Sequence, residues 1–193
     1  MRLKTFVLSA LVLVMVGAAA LTAVSAFHLS RTPIIQLIVQ MDPQESAPLL
    51  RWASGVALYA FHPTAQEVIE LNAEAGARYA AAFPDTTEAE KLLKHLLSAG
   101  VDVNSVEAGS ALDFTALHAA ALNPDPRPIR LLLAYGANPN ARDREGRSPV
   151  DLARASQANR PDQDYSEAIR ALKDAAAGAS RENITGGAEL SQQ

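Results

Sequence analysis

The chain has 193 residues, 49% of them hydrophobic but only 5% aromatic, and no cysteine. Apolar content dominated by Ala, Leu and Val suits helices packed through small side chains. The missing thiols exclude a disulfide framework, a thiolate zinc site, a cysteine nucleophile and a lipidated cysteine anchor. The formal net charge is −4, and beyond residue 26 the balance is 15 basic to 21 acidic residues, or −6, which argues against nucleic acid as the main partner because phosphate binding needs a basic face.

Residues 1–26 open with Arg2 and Lys4, run through an apolar core at 5–16 and close in small residues ending Val24-Ser25-Ala26. Positive, apolar and small-residue regions in that order are the signature of a secretory signal peptide, here cleaved before Phe27. The alternative is an uncleaved anchor, because 6–27 is 22 residues without a charge and long enough to cross a bilayer. The basic start keeps the amino terminus in the cytoplasm, so the body is exported either way. The expectation is a soluble periplasmic or secreted protein; contact with a membrane is expected only if the segment is retained. No later apolar stretch is long enough to span.

Helix starts and stops follow in chain order. Thr32-Pro33 offers a cap with proline in the first turn ahead of the apolar run 34–41. Asp42 with Glu45 reads as a capping box, with Ser46 and Pro48 as a competing start, for a helix to about residue 60 that holds Leu49, Leu50, Trp52, Val56 and Tyr59. Thr64 with Glu67 opens a single helix over 64–82. Asp85 with Glu88 opens another, in which Ala89, Leu92, Leu93, Leu96 and Leu97 make one stripe and Glu90 sits four residues before Lys94. Residues 177–193 are polar and are expected to form a disordered tail.

Two segments recur. Leu96-Leu97-Ser98-Ala99-Gly100-Val101-Asp102-Val103-Asn104 aligns with Leu132-Leu133-Ala134-Tyr135-Gly136-Ala137-Asn138-Pro139-Asn140, an offset of 36 residues. Thr115-Ala116-Leu117-His118-Ala119-Ala120 aligns with Ser148-Pro149-Val150-Asp151-Leu152-Ala153, an offset of 33. These segments resemble the ankyrin repeat, whose period is about 33 residues and whose helix start reads T-P-L-H-x-A. Gly100 and Gly136 suit the ends of outer helices, and Thr115 and Ser148 suit caps of inner ones. Leu117 and Val150 are expected to face the stack, and Ala119, Ala120 and Ala153 to allow close approach. His118 is expected to hydrogen-bond to backbone or to a neighbouring repeat. Asp113 stands where the family has glycine, Ala116 where it has proline, and Asp151 where it has histidine. The last unit carries an enlarged loop at 157–163, followed by a stripe of Tyr165, Ala168, Ile169 and Leu172.

The resemblance implies an all-α ankyrin-repeat solenoid of about three helix-pair units: a degenerate one at 64–104, the best match at 105–140 and a terminal one at 141–176. A helical amino-terminal cap at 32–60 would cover the first unit, with the signal or anchor helix ahead of it.

Residues that carry chemistry are sparse. His28, His62, His95 and His118 have no metal-ligand spacing, and no phosphate loop, nucleophile elbow or dinucleotide fingerprint occurs. The chain is therefore expected to be no enzyme, to need no cofactor or metal and to take no small-molecule ligand. The resemblance implies non-catalytic binding of a protein through projecting loops. In them Glu107, Phe114, Arg142, Asp143, Arg144 and Arg147 are the partner-binding candidates, and Arg127 and Arg130 are expected to join the arginines in a locally basic patch. The alternatives are an immunity protein that neutralises a secreted toxin and a membrane-anchored scaffold.

Overall fold

The computed structural model describes residues 27–109 and 111–189, with 180–189 described by backbone alone. The export segment at 1–26 and the last part of the tail, 190–193, lie outside the described residues. Among the described residues there is no strand, only helices, turns and two isolated antiparallel bridges, Glu74 with Glu107 and Val106 with Thr115. The chain divides into two compact units, Met1–His62 and Pro63–Gln193.

In the first unit, α1 (Ile34–Met41) packs against α2 (Pro48–Phe61). Pro33, not Thr32, takes the N-cap position of α1, and the Thr32 hydroxyl donates to the His28 carbonyl at 3.1 Å instead. The later of the two competing starts is realised for α2, with Pro48 in its first turn. Asp42 is spent on the preceding turn, where it accepts from the Gln44 amide at 2.8 Å. α1 buries Ile34, Leu37, Ile38 and Met41 at i, i+3, i+4 and i+7. α2 buries the smaller set Ser54, Ala57 and Leu58. Gly55 lies next to Met41, where an added Cβ would make an ordinary contact at 3.8 Å, and the Ser54 hydroxyl donates to Gln40 Oε1 at 2.8 Å. The small face of α2 is thus the packed one.

The second unit holds α3 (Ala65–Ala73), α4 (Ala77–Ala81), α5 (Thr86–Ser98), α6 (Ala116–Ala121), α7 (Pro126–Ala134), α8 (Pro149–Asn159) and α9 (Ser166–Glu189). Three pairs of consecutive helices are in contact: α4 with α5, α6 with α7, and α8 with α9. The inner helices α4, α6 and α8 touch in order, and α7 lies against α9. Leu92, Leu93, Leu96, Leu117, Ile129, Leu132 and Leu172 fill the spaces between them and are essentially inaccessible. Leu97 and Val150 are half-buried, as are Ala119 and Ala120; on α6 and α8 the buried alanines are Ala116, Ala121 and Ala153.

The caps explain the boundaries. Thr64 with Glu67, Thr115 with His118 and Ser148 with Asp151 form complete capping boxes. The carboxylates of Asp85 and Asp125 cap α5 and α7. Gly100 (φ 106°) and Gly136 (φ 85°) turn the chain out of the outer helices in the left-handed region.

Three boundaries differ from expectation. The single helix over 64–82 is two helices, broken where Ala75 takes φ 51°. Gly76 is pressed onto Leu71, where an added Cβ would meet its side chain at 2.7 Å, so the turn excludes any larger residue. The first inner helix is therefore α4, and the first pair occupies Ala77 to Ser98 with α3 ahead of it, in place of a unit beginning at 64. The enlarged loop opens after Asn159, because α8 runs through Gln157. Gln157 clamps the loop with its amide, donating to the Gln163 carbonyl at 2.9 Å and accepting from the Tyr165 amide at 3.0 Å. Finally, α9 continues beyond residue 177 to Glu189. The run Ala175-Ala176-Ala177 favours helix, and no proline follows to stop it.

Candidate protein-binding surface

The turns that link each outer helix to the next inner helix stand side by side. They are held in register by a repeated asparagine. Asn72 donates through Nδ2 to the Gly100 carbonyl at 3.2 Å and accepts at Oδ1 from the Asp102 amide at 2.7 Å. Asn104 makes the same two bonds one unit on, to the Gly136 carbonyl at 3.0 Å and from the Asn138 amide at 2.7 Å. Each amide satisfies a backbone donor and acceptor that a turn leaves unpaired. The 32-residue step from Asn72 to Asn104 was the sequence signal that the helix ends at Ala73 and that 74–76 is a turn.

The first and second turns meet through Glu74 and Glu107, whose backbones form an isolated bridge, and the Ala108 amide donates to the Ala73 carbonyl at 2.7 Å. Above this, the Tyr79 hydroxyl donates to Glu74 Oε2 and accepts from Arg78 Nη2, both at 3.1 Å. Arg78 Nη1 donates to Glu107 Oε1 at 3.1 Å. Val106 stands next to Glu107 and is 46% exposed. A tyrosine and an arginine of the inner helix are thus tied to the turn at Glu74 and Glu107, in which Val106 is exposed. Arg78 and Tyr79 were not candidates from sequence, because the unbroken 64–82 helix hid the turn that brings them to Glu107.

The second and third turns meet through Asp113 and Arg144. Asp113 takes φ 53°, matching Gly146 (φ 77°) 33 residues later. A short polar side chain tolerates the left-handed region better than most, and here it also receives a two-pronged pair, Arg144 Nε to Oδ2 at 3.0 Å and Nη2 to Oδ1 at 2.8 Å. The Arg144 amide donates to the Leu112 carbonyl at 2.9 Å. The third turn is built around Asp143, which is 5% exposed and accepts from the Glu145 and Arg147 amides and from Arg147 Nε, all within 2.9 Å. Burial works to raise its carboxyl, and the bonds from Arg147 and Glu145 outweigh it, leaving the group below the usual carboxylate range.

His118 ties the second and third units together. It is fully buried. The Thr115 amide donates to its Nδ1 at 3.2 Å, so the proton sits on Nε2, which reaches the Arg147 carbonyl at 3.2 Å in the next unit. The expected bond to a neighbouring repeat is present. Burial is the largest influence on the ring and pushes its pKa below the ordinary histidine value. Phe114 stacks on it, ring centres 5.6 Å apart and planes 12° apart. In the last repeat Asp151 replaces this histidine and takes over the box, accepting from the Ser148 amide at 3.0 Å.

The six candidates from sequence are therefore engaged within the stack. Glu107 pairs with Arg78 and Phe114 covers His118. Asp143 holds a turn and Arg144 holds Asp113. Arg147 pairs with Asp143 and with Glu145 at 2.7 Å. Arg142 donates to the Gly146 carbonyl at 3.0 Å and to Asp151 at 3.4 Å. No basic patch forms around Arg127 and Arg130, because they sit on the outer helix α7, paired with Asp125 at 2.6 Å and Glu167 at 2.8 Å.

Residues 96–153 match the family of ankyrin repeats (many copies). That segment is similar to ankyrin repeats. Its match covers the last turn of α5, the turn with Asn104, the whole α6–α7 pair and the start of α8, so the features that define the repeat lie inside it. The chain is also similar to the E3 ubiquitin-protein ligase hecd-1 of Caenorhabditis elegans, 34% identical over 83 residues. This is 43% of the present chain and 3% of that protein. The relative is far longer, and ligase activity is stated of it alone.

Proposed function

We propose that this chain is an exported, non-catalytic ankyrin-repeat module that binds a protein partner in the cell envelope. The observation that carries the binding reading is the ankyrin-like stack in which Arg78 and Tyr79 are tied to the turn at Glu74 and Glu107, with an exposed Val106 next to Glu107 in sequence. An apolar centre with tyrosine and arginine at its edge has the composition of protein-binding hot spots. The ion pairs along the turns fix the shape of this surface before any partner arrives, which lowers the ordering cost of binding. Export is supported by the charge, apolar and small-residue order of residues 1–26. The excess of acidic residues favours a partner with a basic face.

The test is to express the full chain with an affinity tag after Gln193, recover it from the envelope fraction and identify its amino terminus and its co-purifying proteins. One stoichiometric partner, lost on Val106→Asp and Tyr79→Ala, supports the reading; a secreted toxin as that partner selects the immunity role. Recovery from the cytoplasm with Met1 intact removes the export claim, and a partner unaffected by both substitutions removes the assigned surface. A retained Met1 in the membrane fraction selects the anchored scaffold, an outcome that the exposed face of α2 favours.

A further inference from the structure

Helix α2 has most of its bulky apolar side chains on the outside. Leu49, Trp52 and Val56 fall at i, i+3 and i+7 on one stripe of α2 and are 75%, 67% and 49% exposed. Every exposed residue of α2 is apolar, the helix contains no acid, and its one charge, Arg51, is half-buried. The solvent face of a helix in a globular protein is ordinarily polar, and here the order is reversed.

We propose that this face of α2 lies in the interfacial layer of a lipid bilayer, with residues 6–27 as the retained membrane segment. This goes beyond the protein-binding reading and does not rest on it. Residues 6–27 are 22 residues without a charge, enough to cross the hydrocarbon core. The six residues 28–33 between that segment and α1 span at most about 20 Å even when fully extended. The unit is therefore held at the height of the bilayer surface, and its exposed stripe sits where an apolar face gains most. Leucine, tryptophan and valine are what an interfacial helix presents to the acyl boundary, and tryptophan concentrates there. Residues 27–41 hold His28 and Arg31 and no acid; the acids ahead of α2 are Asp42 and Glu45, in the turn that joins α1 to α2. A protein partner would call for hydrogen-bonding groups at the rim, and on this stripe the Trp52 indole N–H is the single one.

Trp52 is the one tryptophan in the chain, so its fluorescence reports this face alone. The full chain is reconstituted into vesicles of phosphatidylethanolamine and phosphatidylglycerol. The expected result is blue-shifted Trp52 emission, quenched by lipids brominated near the headgroup end of the acyl chain and shielded from aqueous acrylamide. Leu49→Glu with Val56→Glu leaves the chain in the vesicle fraction through residues 6–27 and reverses the order of quenching, since each substitution weakens apolar contact about tenfold or more. Emission and acrylamide quenching like those of a free indole overturn the proposal, as does failure of the chain to stay with the vesicles. Shielding from both quenchers also overturns it, and assigns the face to a protein surface, a second copy of this chain included.

Discussion

The two units treat bulky side chains in opposite ways. In the second unit Leu92, Leu93, Leu96, Leu117, Ile129, Leu132 and Leu172 sit at or near zero exposure and surface charges are paired: Lys94 with Glu90 at 2.8 Å, Arg130 with Glu167, Arg144 with Asp113. In the α1–α2 pair, α2 turns Ser54, Ala57 and Leu58 to the apolar side chains of α1 while Leu49, Trp52 and Val56 face outward. Both units are helical and both are apolar in sequence. The difference teaches that the direction of a helix's apolar face is decided by which side lets its neighbour approach. On α2 that side is the one with Ser54, Ala57 and Leu58. The array is complete in itself; the pair presents an unsatisfied apolar face.

The largest test of that contrast is truncation of one apolar residue in each unit. Leu132→Ala removes an inaccessible side chain between stacked helices and should cost about 2–5 kcal/mol in urea unfolding. Trp52→Ala removes a side chain that is 67% exposed and should change stability by no more than about 0.5 kcal/mol. Equal losses would mean that α2 is packed where it is described as open, and would sink the contrast and the membrane proposal together.

His118 gives the next effect and a pH dependence. Its pKa is lowered in the folded state by burial, so between the unfolded value near 6.5 and the lower folded one the unfolded chain binds more protons. Stability must then rise with pH through that window and be lost on acidification below about 6.5. Protonation puts a proton on Nδ1 that opposes the Thr115 amide, and Asp143 and Arg147, the charged groups acting on the ring, do not replace that acceptor. His118→Ala should cost about 1–3 kcal/mol for stranding the Thr115 amide and the Arg147 carbonyl. Its unfolding midpoint should be level between pH 7.5 and 5.5, where the parent's falls. A parent midpoint that does not move over that range contradicts the assigned tautomer.

Much of the array was legible in the sequence because caps and stops act locally. Thr64, Asp85, Thr115 and Ser148 open helices where their side chains accept the expected amides. The glycines at 100 and 136 end them. What was not legible depends on contacts far along the chain. Ala75-Gly76-Ala77 looks like helix interior, and it breaks because Gly76 lands on Leu71 and Glu74 meets Glu107, 33 residues away. The arginines of the candidate site announced charge, but only their geometry shows that each is spent on a neighbouring turn. The helix at 48–61 was expected from its apolar content, whereas the side of it that packs was not, since hydrophobicity favours the bulky face that remains open.

The asparagine bridge should matter less than the core. Asn104→Ala leaves the Gly136 carbonyl and Asn138 amide without their partner at a site water can reach, which should cost about 1 kcal/mol. Hydrogen exchange at the Asn138 amide should rise in this variant and not in Asn72→Ala, whose bond goes to Asp102. Simultaneous loss of protection at both amides would mean that the turns open as one body rather than as separate rungs.

The smallest effect belongs to Asp113, and it decides how much of the candidate surface is free to bind. Asp113→Gly relieves a left-handed residue, worth about 1 kcal/mol. It adds back chain entropy of about 0.5–1 kcal/mol and gives up an ion pair whose side chains are 37% and 59% exposed, a class worth about 0–1 kcal/mol. These terms nearly cancel, so the variant should unfold within about 1 kcal/mol of the parent. The informative quantity is the coupling between Asp113→Gly and Arg144→Ala in a double-mutant cycle, read at low and at high salt. A coupling that fades with salt marks a screened surface pair, and Arg144 can then trade Asp113 for a partner's carboxylate at little cost. A coupling that persists in salt means that the pair is a fixed strut between turns. The array would then bind through Val106, Tyr79 and Arg78, with Arg144 serving only to hold the loop beside them.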